Sequence, residues 1–171
     1  MSNSSNGRAL AALATASTLL IAPTAAIAAT SHSRHHAPRR AAHKPAVHHP
    51  DRTDTLLTKM FAAGTRIAHA PYSYGGGHSS FDASGYDCSG SVSYVLHAAG
   101  LLSTPDDSTG LETFGEPGPG KHVTIFANSG HAFMTINGRR FDTNTLDSTG
   151  TRWSHTMRDT SGYVARHPAG L

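Results

Sequence analysis

Ser84-Gly85-Tyr86-Asp87-Cys88-Ser89-Gly90-Ser91-Val92-Ser93-Tyr94-Val95-Leu96 surrounds the only cysteine of the chain, Cys88. Apolar residues recur after it at helical spacing until Gly100, so we predict that Cys88 lies in the first turn of a helix. The unpaired N–H groups and the positive dipole end of a helix stabilise a thiolate, the nucleophilic form of cysteine. The pattern therefore indicates a reactive thiol, with a small buried apolar cysteine as the alternative.

The residues before Cys88 predict a helix and then a loop. Apolar positions from Thr53 and Asp54 onward form one stripe, which predicts a first helix that ends before Pro71. The segment Tyr72-Ser73-Tyr74-Gly75-Gly76-Gly77-His78 follows as a loop, and its glycines allow close approach of backbone. Such a loop suits a substrate cleft, although it also suits any tight turn.

The second half of the domain has the alternating pattern of strands. We predict a loop from Gly100 to Lys121, strands at 122–126, 131–136 and 139–142, and a last strand at 162–166. Asn137-Gly138 is the strongest hairpin signal in the chain, because both residues tolerate positive φ. Two helices followed by an antiparallel sheet give an α+β fold with segregated layers.

The first fifty residues have a different composition from the rest. Residues 1–28 read as a signal peptide, with an apolar run and an Ala26-Ile27-Ala28 cleavage site. Residues 29–50, rich in His, Pro and Arg, read as a disordered linker whose histidines could alternatively bind a metal. Residues 51–171 form the predicted domain. Export would place Cys88 in an oxidising compartment without an internal partner, which favours a free reactive thiol.

The net positive charge of the chain comes from its basic N-terminal tail, residues 1–50. The whole chain has a formal net charge of +3, but residues 51–171 contain nine Lys plus Arg and eleven Asp plus Glu, which gives −2. This balance argues against a nucleic-acid-binding domain, and the basic tail suits contact with an anionic cell envelope. The interrupted apolar run predicts no integral membrane segment in the mature chain. We expect a monomer that uses no metal or cofactor.

A nucleophilic thiol needs a base, and the spacing of the histidines leaves several candidates. His131 opens the central strand of the predicted sheet, directly after a turn. His122 also begins a strand, at the edge of the meander. His69 at a helix end, His78 in the glycine-rich loop and His97 near a helix C-terminus are less well placed. Spacing alone does not choose between His131 and the other histidines of the domain.

Three motifs together resemble the NlpC family of bacterial cell-wall cysteine peptidases. They are Pro71-Tyr72-Ser73-Tyr74-Gly75-Gly76, Asp87-Cys88-Ser89-Gly90-Ser91-Val92, and Gly130-His131-Ala132-Phe133-Met134 with its Asn-Gly hairpin. The similarity runs from about Asp54 to Val164. It implies a papain-like version of the predicted α+β fold.

The resemblance also implies roles for single residues. Cys88 would be the nucleophile and His131 the base, and the third catalytic residue would be Asp142, Thr143 or Asn144, across the hairpin from His131. The backbone N–H of Cys88 would help to bind an oxyanion. The residues expected to contact substrate are Tyr72, Tyr74, Asp87 and Ser89.

Three functions remain compatible with these residues. The first is a secreted hydrolase that cleaves an amide bond in peptidoglycan stem peptides. The second is a catalytically silent module that binds the cell wall. The third is an acyltransferase or amidase that uses the same cysteine and histidine on another substrate. Retention of Cys88, His131 and Tyr72 favours the first.

Overall fold

The computed structural model describes residues 51–171, which form helices packed on one antiparallel sheet. The predicted signal peptide and linker lie outside the described residues. The helices are α1 (Arg52–Arg66), α2 (Cys88–Ala98), α3 (Ser108–Leu111) and α4 (Leu146–Thr149), with a 3-10 turn at Thr143–Thr145 before α4. The strands are β1 (Glu116–Pro117), β2 (Val123–Asn128), β3 (His131–Ile136), β4 (Arg139–Phe141), β5 (Trp153–Ser154) and β6 (Val164–His167).

Helix α1 begins one residue earlier than predicted because Asp51 caps it. The Asp51 carboxylate accepts the backbone N–H of Asp54 at 2.8 Å, which satisfies one of the free donors of the first turn. The predicted apolar stripe is buried at Leu57, Met60 and Ala63, and it faces α2 and the sheet. None of the described helices has the length and apolarity needed to cross a membrane.

The sheet has the strand order β1-β6-β2-β3-β4-β5, and every neighbouring pair is antiparallel. The hairpin between β3 and β4 forms as predicted, with φ of 46° at Asn137 and 75° at Gly138. Positive φ at both central residues gives the turn a twist that matches the strands.

The strand after His122 lies at the edge of the β2–β3–β4 meander, as predicted, but it is not at the edge of the whole sheet. The last strand, β6, pairs with β2 through Ile125 and Arg166, so β2 is interior. His122 itself lies one residue before β2, where its ring hydrogen-bonds the Asn137 side chain at 3.0 Å. The meander predicted from sequence supplies β2 to β4 in order, but the pairing of β6 depends on contacts between segments far apart in the chain.

The predicted loop from Gly100 to Lys121 contains two short elements that the sequence pattern misses. Helix α3 is one turn long and is stabilised by Asp107, whose carboxylate accepts the N–H of Gly110 at 2.8 Å. Strand β1 pairs with β6. Neither is long enough to show a periodic apolar pattern.

Trp153 lies in β5 and closes the core at the end of the sheet. Its ring stacks at 5.4 Å from Phe61 of α1 and lies 4.8 Å from Phe141 of β4. A Cβ atom at Gly64 would lie 2.6 Å from the Trp153 ring, so this glycine allows α1 to approach the indole. The helix is thereby held against the sheet at the end where β4 leads into Asp142.

Candidate active site

Cys88 is the first residue of α2, and Asp87 is the N-cap. The Asp87 side chain accepts the N–H of Gly90 at 2.8 Å, and its backbone carbonyl accepts the N–H of Ser91 at 3.0 Å. The Cys88 thiol is free and half-buried. The predicted position of the cysteine in the first helical turn is therefore the one observed in the structure.

The glycine-rich loop packs directly on the start of α2. The carboxylate of Asp87 accepts the N–H of Gly75 at 3.0 Å, and the Asp87 N–H donates to the carbonyl of Gly76 at 3.2 Å. A Cβ atom at Gly90 would lie 2.0 Å from the Gly76 oxygen. Backbone thus meets backbone, which requires glycine and fixes the loop beside the thiol.

His131 begins β3 after a turn that Asn128 fixes. The Asn128 side-chain oxygen accepts the N–H groups of Gly130 and His131, at 3.0 and 2.9 Å. The His131 ring turns its Nε2 to the Asp142 carboxylate at 2.9 Å, and the same ring acts on the Cys88 thiol and lowers its pKa. Because Nε2 faces Asp142, Nδ1 is the nitrogen available to the thiol.

Asp142 follows β4 and is fully buried among donors. Its Oδ1 accepts from His131 and from the N–H of Asn144 at 2.9 Å, and its Oδ2 lies 3.2 Å from Nη1 of Arg158. Arg140 adds a second guanidinium, with Nε at 3.6 Å from Oδ2. This surrounding favours an ionised carboxylate.

The pKa shifts of Cys88, His131 and Asp142 all favour the charged form of the group. Burial would raise the pKa of the Cys88 thiol, but hydrogen bonds from His131 and the N–H of Ala132, and the charge of the imidazole, hold that pKa below its ordinary value. Burial lowers the pKa of His131, yet hydrogen bonds with Asp142 and Cys88 outweigh it and raise that pKa to about 9. The arrangement therefore favours a thiolate beside an imidazolium at neutral pH.

Asp142 contributes the third shift. Burial would raise the pKa of its carboxyl group, but the hydrogen bonds with His131 and the Asn144 N–H, and the charges of His131 and Arg158, hold the pKa below its ordinary value. Of the three positions left open by the sequence, Asp142 is the one hydrogen-bonded to the His131 ring. Thr143, which is buried, and Asn144, which is exposed, line a cavity beside His131.

Two cavities meet at Tyr72. The first, of about 390 Å³, is lined by Cys88, Asp87, Ser89 and Tyr74 as well as Tyr72. The second, of about 270 Å³, is lined by Tyr72, His131, Thr143, Asn144, Leu146 and Asp147. Burial, and then the nearby charges of Cys88 and Asp87, raise the pKa of Tyr72, so its hydroxyl keeps its proton and can donate a hydrogen bond. The four residues expected to contact substrate thus share one cavity with the thiol.

Arg152 and Arg158 were not singled out from the sequence, and His78 was considered only as a less well placed candidate for the base. His78 lines the same cavity as Cys88, with Nε2 at 3.0 Å from both the Asp87 carboxylate and the Ser89 hydroxyl. His78 lies in the glycine-rich loop, as predicted, and Asp87 holds its ring at the site. Arg158 contacts Asp142, and buried Arg152 contacts the segments around Tyr72 and Cys88. A lone histidine or arginine between turns carries no local signal of such contacts.

The described residues, 51–171, contain no group of three or more His, Cys, Asp or Glu side chains that could hold a metal ion. The chemistry available at the site is that of a thiol, an imidazole and a carboxylate in a row. Such a row can perform nucleophilic attack followed by proton transfer.

Comparison with family models and with curated proteins finds no match. Several solved structures are similar, including the following two. One is Rv1477, a hypothetical invasion protein of Mycobacterium tuberculosis, with 21% identity and a TM-score of 0.48 over 69% of this chain. The chain spans 65% of the length of that structure. The other is the P60 domain from the M. avium subspecies paratuberculosis antigen MAP1204, with 19% identity, a TM-score of 0.51, and coverage of 68% of this chain and 97% of that domain.

The P60 domain is matched over 97% of its length. The matched part is 68% of this chain, which is nearly the share that the described residues make up. The α+β fold predicted from the sequence, with helices packed against an antiparallel sheet, is confirmed. The chain therefore has the NlpC/P60 fold that its three motifs led us to expect.

Proposed function

We propose that the chain is a cysteine hydrolase that cleaves an amide bond in peptidoglycan stem peptides. The observation that carries the proposal is the row Cys88, His131, Asp142, with the thiol at a helix N-terminus and the imidazole bonded to a buried carboxylate. The similarity to P60 domains supports the family of cell-wall hydrolases as the setting.

The acylation step begins with attack of the Cys88 thiolate on the substrate carbonyl carbon. A C–S bond forms, and the carbonyl oxygen takes up the negative charge. The N–H of Cys88 belongs to the first helical residue and has no acceptor within its own helix, so it is available to this oxygen. The Tyr72 hydroxyl, which keeps its proton, is a second donor at the same cavity.

Collapse of the intermediate breaks the C–N bond. His131, as imidazolium, gives its proton to the departing amine, and Asp142 keeps the ring oriented and stabilises its positive form. A water molecule then gives a proton to His131 and attacks the thioester carbonyl. This releases the carboxylic acid and restores the thiolate and imidazolium. The steps use only groups of this chain and one water molecule.

The two cavities suggest the direction in which the substrate binds. The departing amine takes its proton from His131, so the amine side of the substrate belongs in the cavity that His131 lines. The acyl side remains bonded to Cys88 and belongs in the cavity with Tyr74, Asp87 and Ser89. Asp147 at the amine-side cavity suits a leaving group that carries a positive charge.

Mass spectrometry of stem-peptide fragments incubated with the protein tests the proposal. We expect one amide bond to be cleaved with uptake of one water molecule, and no cleavage by Cys88→Ala. Binding of the fragments without any cleavage would favour the silent wall-binding module instead. Transfer of the acyl group to an added amine, with no free acid formed, would favour the acyltransferase.

Secretion of the chain, wall-associated location and a monomeric state are part of the same proposal. The sequence predicts removal of residues 1–28, so the exported protein should begin at Ala29. N-terminal sequencing of protein recovered outside the cells checks this. A chain that retains Met1 and sediments with membranes would contradict the proposed export.

A further inference from the structure

Arg152 is fully buried and all five N–H groups of its guanidinium have an acceptor within reach. Nε donates to the Ser91 hydroxyl at 3.0 Å. Nη1 donates to the carbonyls of Ile67 and Ala70 at 2.8 and 2.5 Å, and Nη2 to those of Pro71 and Tyr86 at 3.4 and 2.9 Å. Every N–H group of the guanidinium thus donates a hydrogen bond.

All the recorded acceptors of Arg152 in the described part of the chain are neutral oxygen atoms. Burial of this charge lowers the pKa of Arg152 to about 10, which still leaves it protonated at neutral pH. Burying a charge without a counter-ion is costly, and the cost is offset here by hydrogen bonds to four backbone carbonyls and the Ser91 hydroxyl. An apolar side chain would fill the same space without that cost, so the arginine has a role besides filling space.

The acceptors belong to the segments that carry the active-site residues. Pro71 directly precedes Tyr72, and Tyr86 directly precedes the Asp87–Cys88 pair. The Pro71 carbonyl also accepts the Tyr86 N–H at 3.0 Å, so the guanidinium binds two backbone segments that already contact each other. Ser91 lies in the first turn of α2. One side chain thereby links the Tyr72 segment to the Cys88 helix.

The main chain of Arg152 reaches the third part of the site. Its carbonyl accepts the N–H of Asp142 at 2.8 Å, and its own N–H donates to the carbonyl of Ala68 at 2.9 Å. Asp142 in turn holds His131. The same residue therefore contacts the segments of the oxyanion donor, the nucleophile and the partner of the base.

We infer that Arg152 is the positioning residue of this site, which fixes Tyr72, Cys88 and Asp142 relative to one another. The inference rests on the proposed function, because it gives these three residues their roles. Arg152 touches no reacting atom. Its effect is geometric, and misplacement of a reacting group by about 1 Å can lower a rate by about a hundredfold.

Arg152→Lys is the primary test, since lysine keeps the charge but has three donors in place of the planar fork. Arg166→Lys is the matched control. Arg166 also donates to backbone carbonyls, those of Thr113, Phe114 and Gly115, but it joins β6 to the segment before β1. Both variants should lose thermal stability, so a purely structural role predicts the same outcome for the two.

The readouts are kcat and KM on the cleaved fragment, and the rate of Cys88 alkylation by iodoacetamide against pH. All are measured on protein shown by circular dichroism to be folded at the assay temperature. For Arg152→Lys we expect kcat to fall by about ten- to a hundredfold with KM changed by less than about twofold, and the thiol to ionise at higher pH. Arg166→Lys should match the wild type in kcat, in KM and in the pH dependence of alkylation.

A folded Arg152→Lys protein with wild-type kcat and alkylation profile would overturn the inference. If Arg152→Lys does not fold, Ser91→Ala is judged by the same criteria, with a kcat loss of about threefold expected because only one acceptor is removed. The wild type tests the proposed function separately. A native thiol that ionises like an ordinary cysteine, with no cleavage, would remove both ideas, whereas a reactive wild type beside an unchanged Arg152→Lys removes only this one.

Discussion

Two histidine–aspartate pairs lie next to Cys88, and they differ in what surrounds the carboxylate. His131 and Asp142 are 2.9 Å apart, with side chains 15% and 0% exposed, and two arginines reach the far oxygen of Asp142. His78 and Asp87 are 3.0 Å apart, with side chains 35% and 6% exposed. The carboxylate oxygens of Asp87 also accept hydrogen bonds from the backbone N–H groups of Gly75 and Gly90.

The difference favours His131 over His78 as the proposed catalytic base. Asp142 is bonded chiefly to charged side chains, and it raises the pKa of His131 to about 9 together with Cys88. Asp87 accepts the backbone N–H groups of Gly75 and Gly90, has no arginine partner among the described residues, and holds a loop on the start of a helix. The partly exposed His78 ring hydrogen-bonds the Asp87 carboxylate. We therefore propose proton transfer for His131, and anchoring of the loop for the pair of His78 and Asp87.

The largest effects should come from the reactive pair. Cys88→Ala and His131→Ala should each lower kcat by about a thousandfold or more while the protein stays folded, because each removes a group that makes or breaks a bond. His122→Ala is the control, since its ring faces Asn137 outside the site. Progress curves on the cleaved fragment give the rates. Full activity in His131→Ala together with loss in His122→Ala would reverse the assignment of the base.

Substitutions of Asp142 should have the next largest effect. Asp142→Ala removes both the hydrogen bond and the charge, and we expect kcat to fall by about a hundredfold. Asp142→Asn keeps an acceptor for the ring, so a loss of about tenfold is expected. Because the carboxylate holds the pKa of His131 up, the alkaline limb of kcat/KM should move below its wild-type position near pH 9 in both variants. An unmoved limb would show that Asp142 does not control the charge of the ring.

His78→Gln should have a smaller effect than any change at Asp142. Glutamine can still hydrogen-bond Asp87 and Ser89, so we expect kcat within about threefold of the wild type and an unchanged pH profile. Asp87→Ala is the companion variant, and it should lose thermal stability because α2 loses its cap, worth about 1 kcal/mol. A hundredfold fall in kcat for His78→Gln, without loss of stability, would make the two histidine pairs equivalent in catalysis.

The smallest expected effect is on stability against pH. The pKa of His131 is raised from 6.5 to about 9 on folding, so its contribution to stability is complete below the unfolded value and is lost as pH rises through about 9. The melting temperature should therefore fall by a few degrees more between pH 7 and pH 10 in the wild type than in His131→Gln. Equal falls in the two proteins would contradict the raised pKa.

Much of the fold follows from local patterns, as single elements demonstrate. The Asn137-Gly138 turn needs positive φ at both residues, and few residue pairs other than Asn-Gly supply it, so the hairpin was predictable. Cys88 at the start of α2 was predictable for the same kind of reason, because Asp87 can cap the residues that follow it. The short elements α3 and β5 were not, since each is too brief to show a period.

The sequence by itself determined the place of Cys88 at a helix start, the place of His131 at a strand start, and the α+β order of elements. Those features depend on residues within a few positions of one another, where caps, turns and periodicity act. The tertiary structure alone decided that Asp142 pairs with His131, that β6 pairs with β2, and that Arg152 joins the site. Arg152 bonds Ser91 across 61 residues and Ile67 across 85. Contacts over such distances arise from packing of the whole domain, so no local pattern records them.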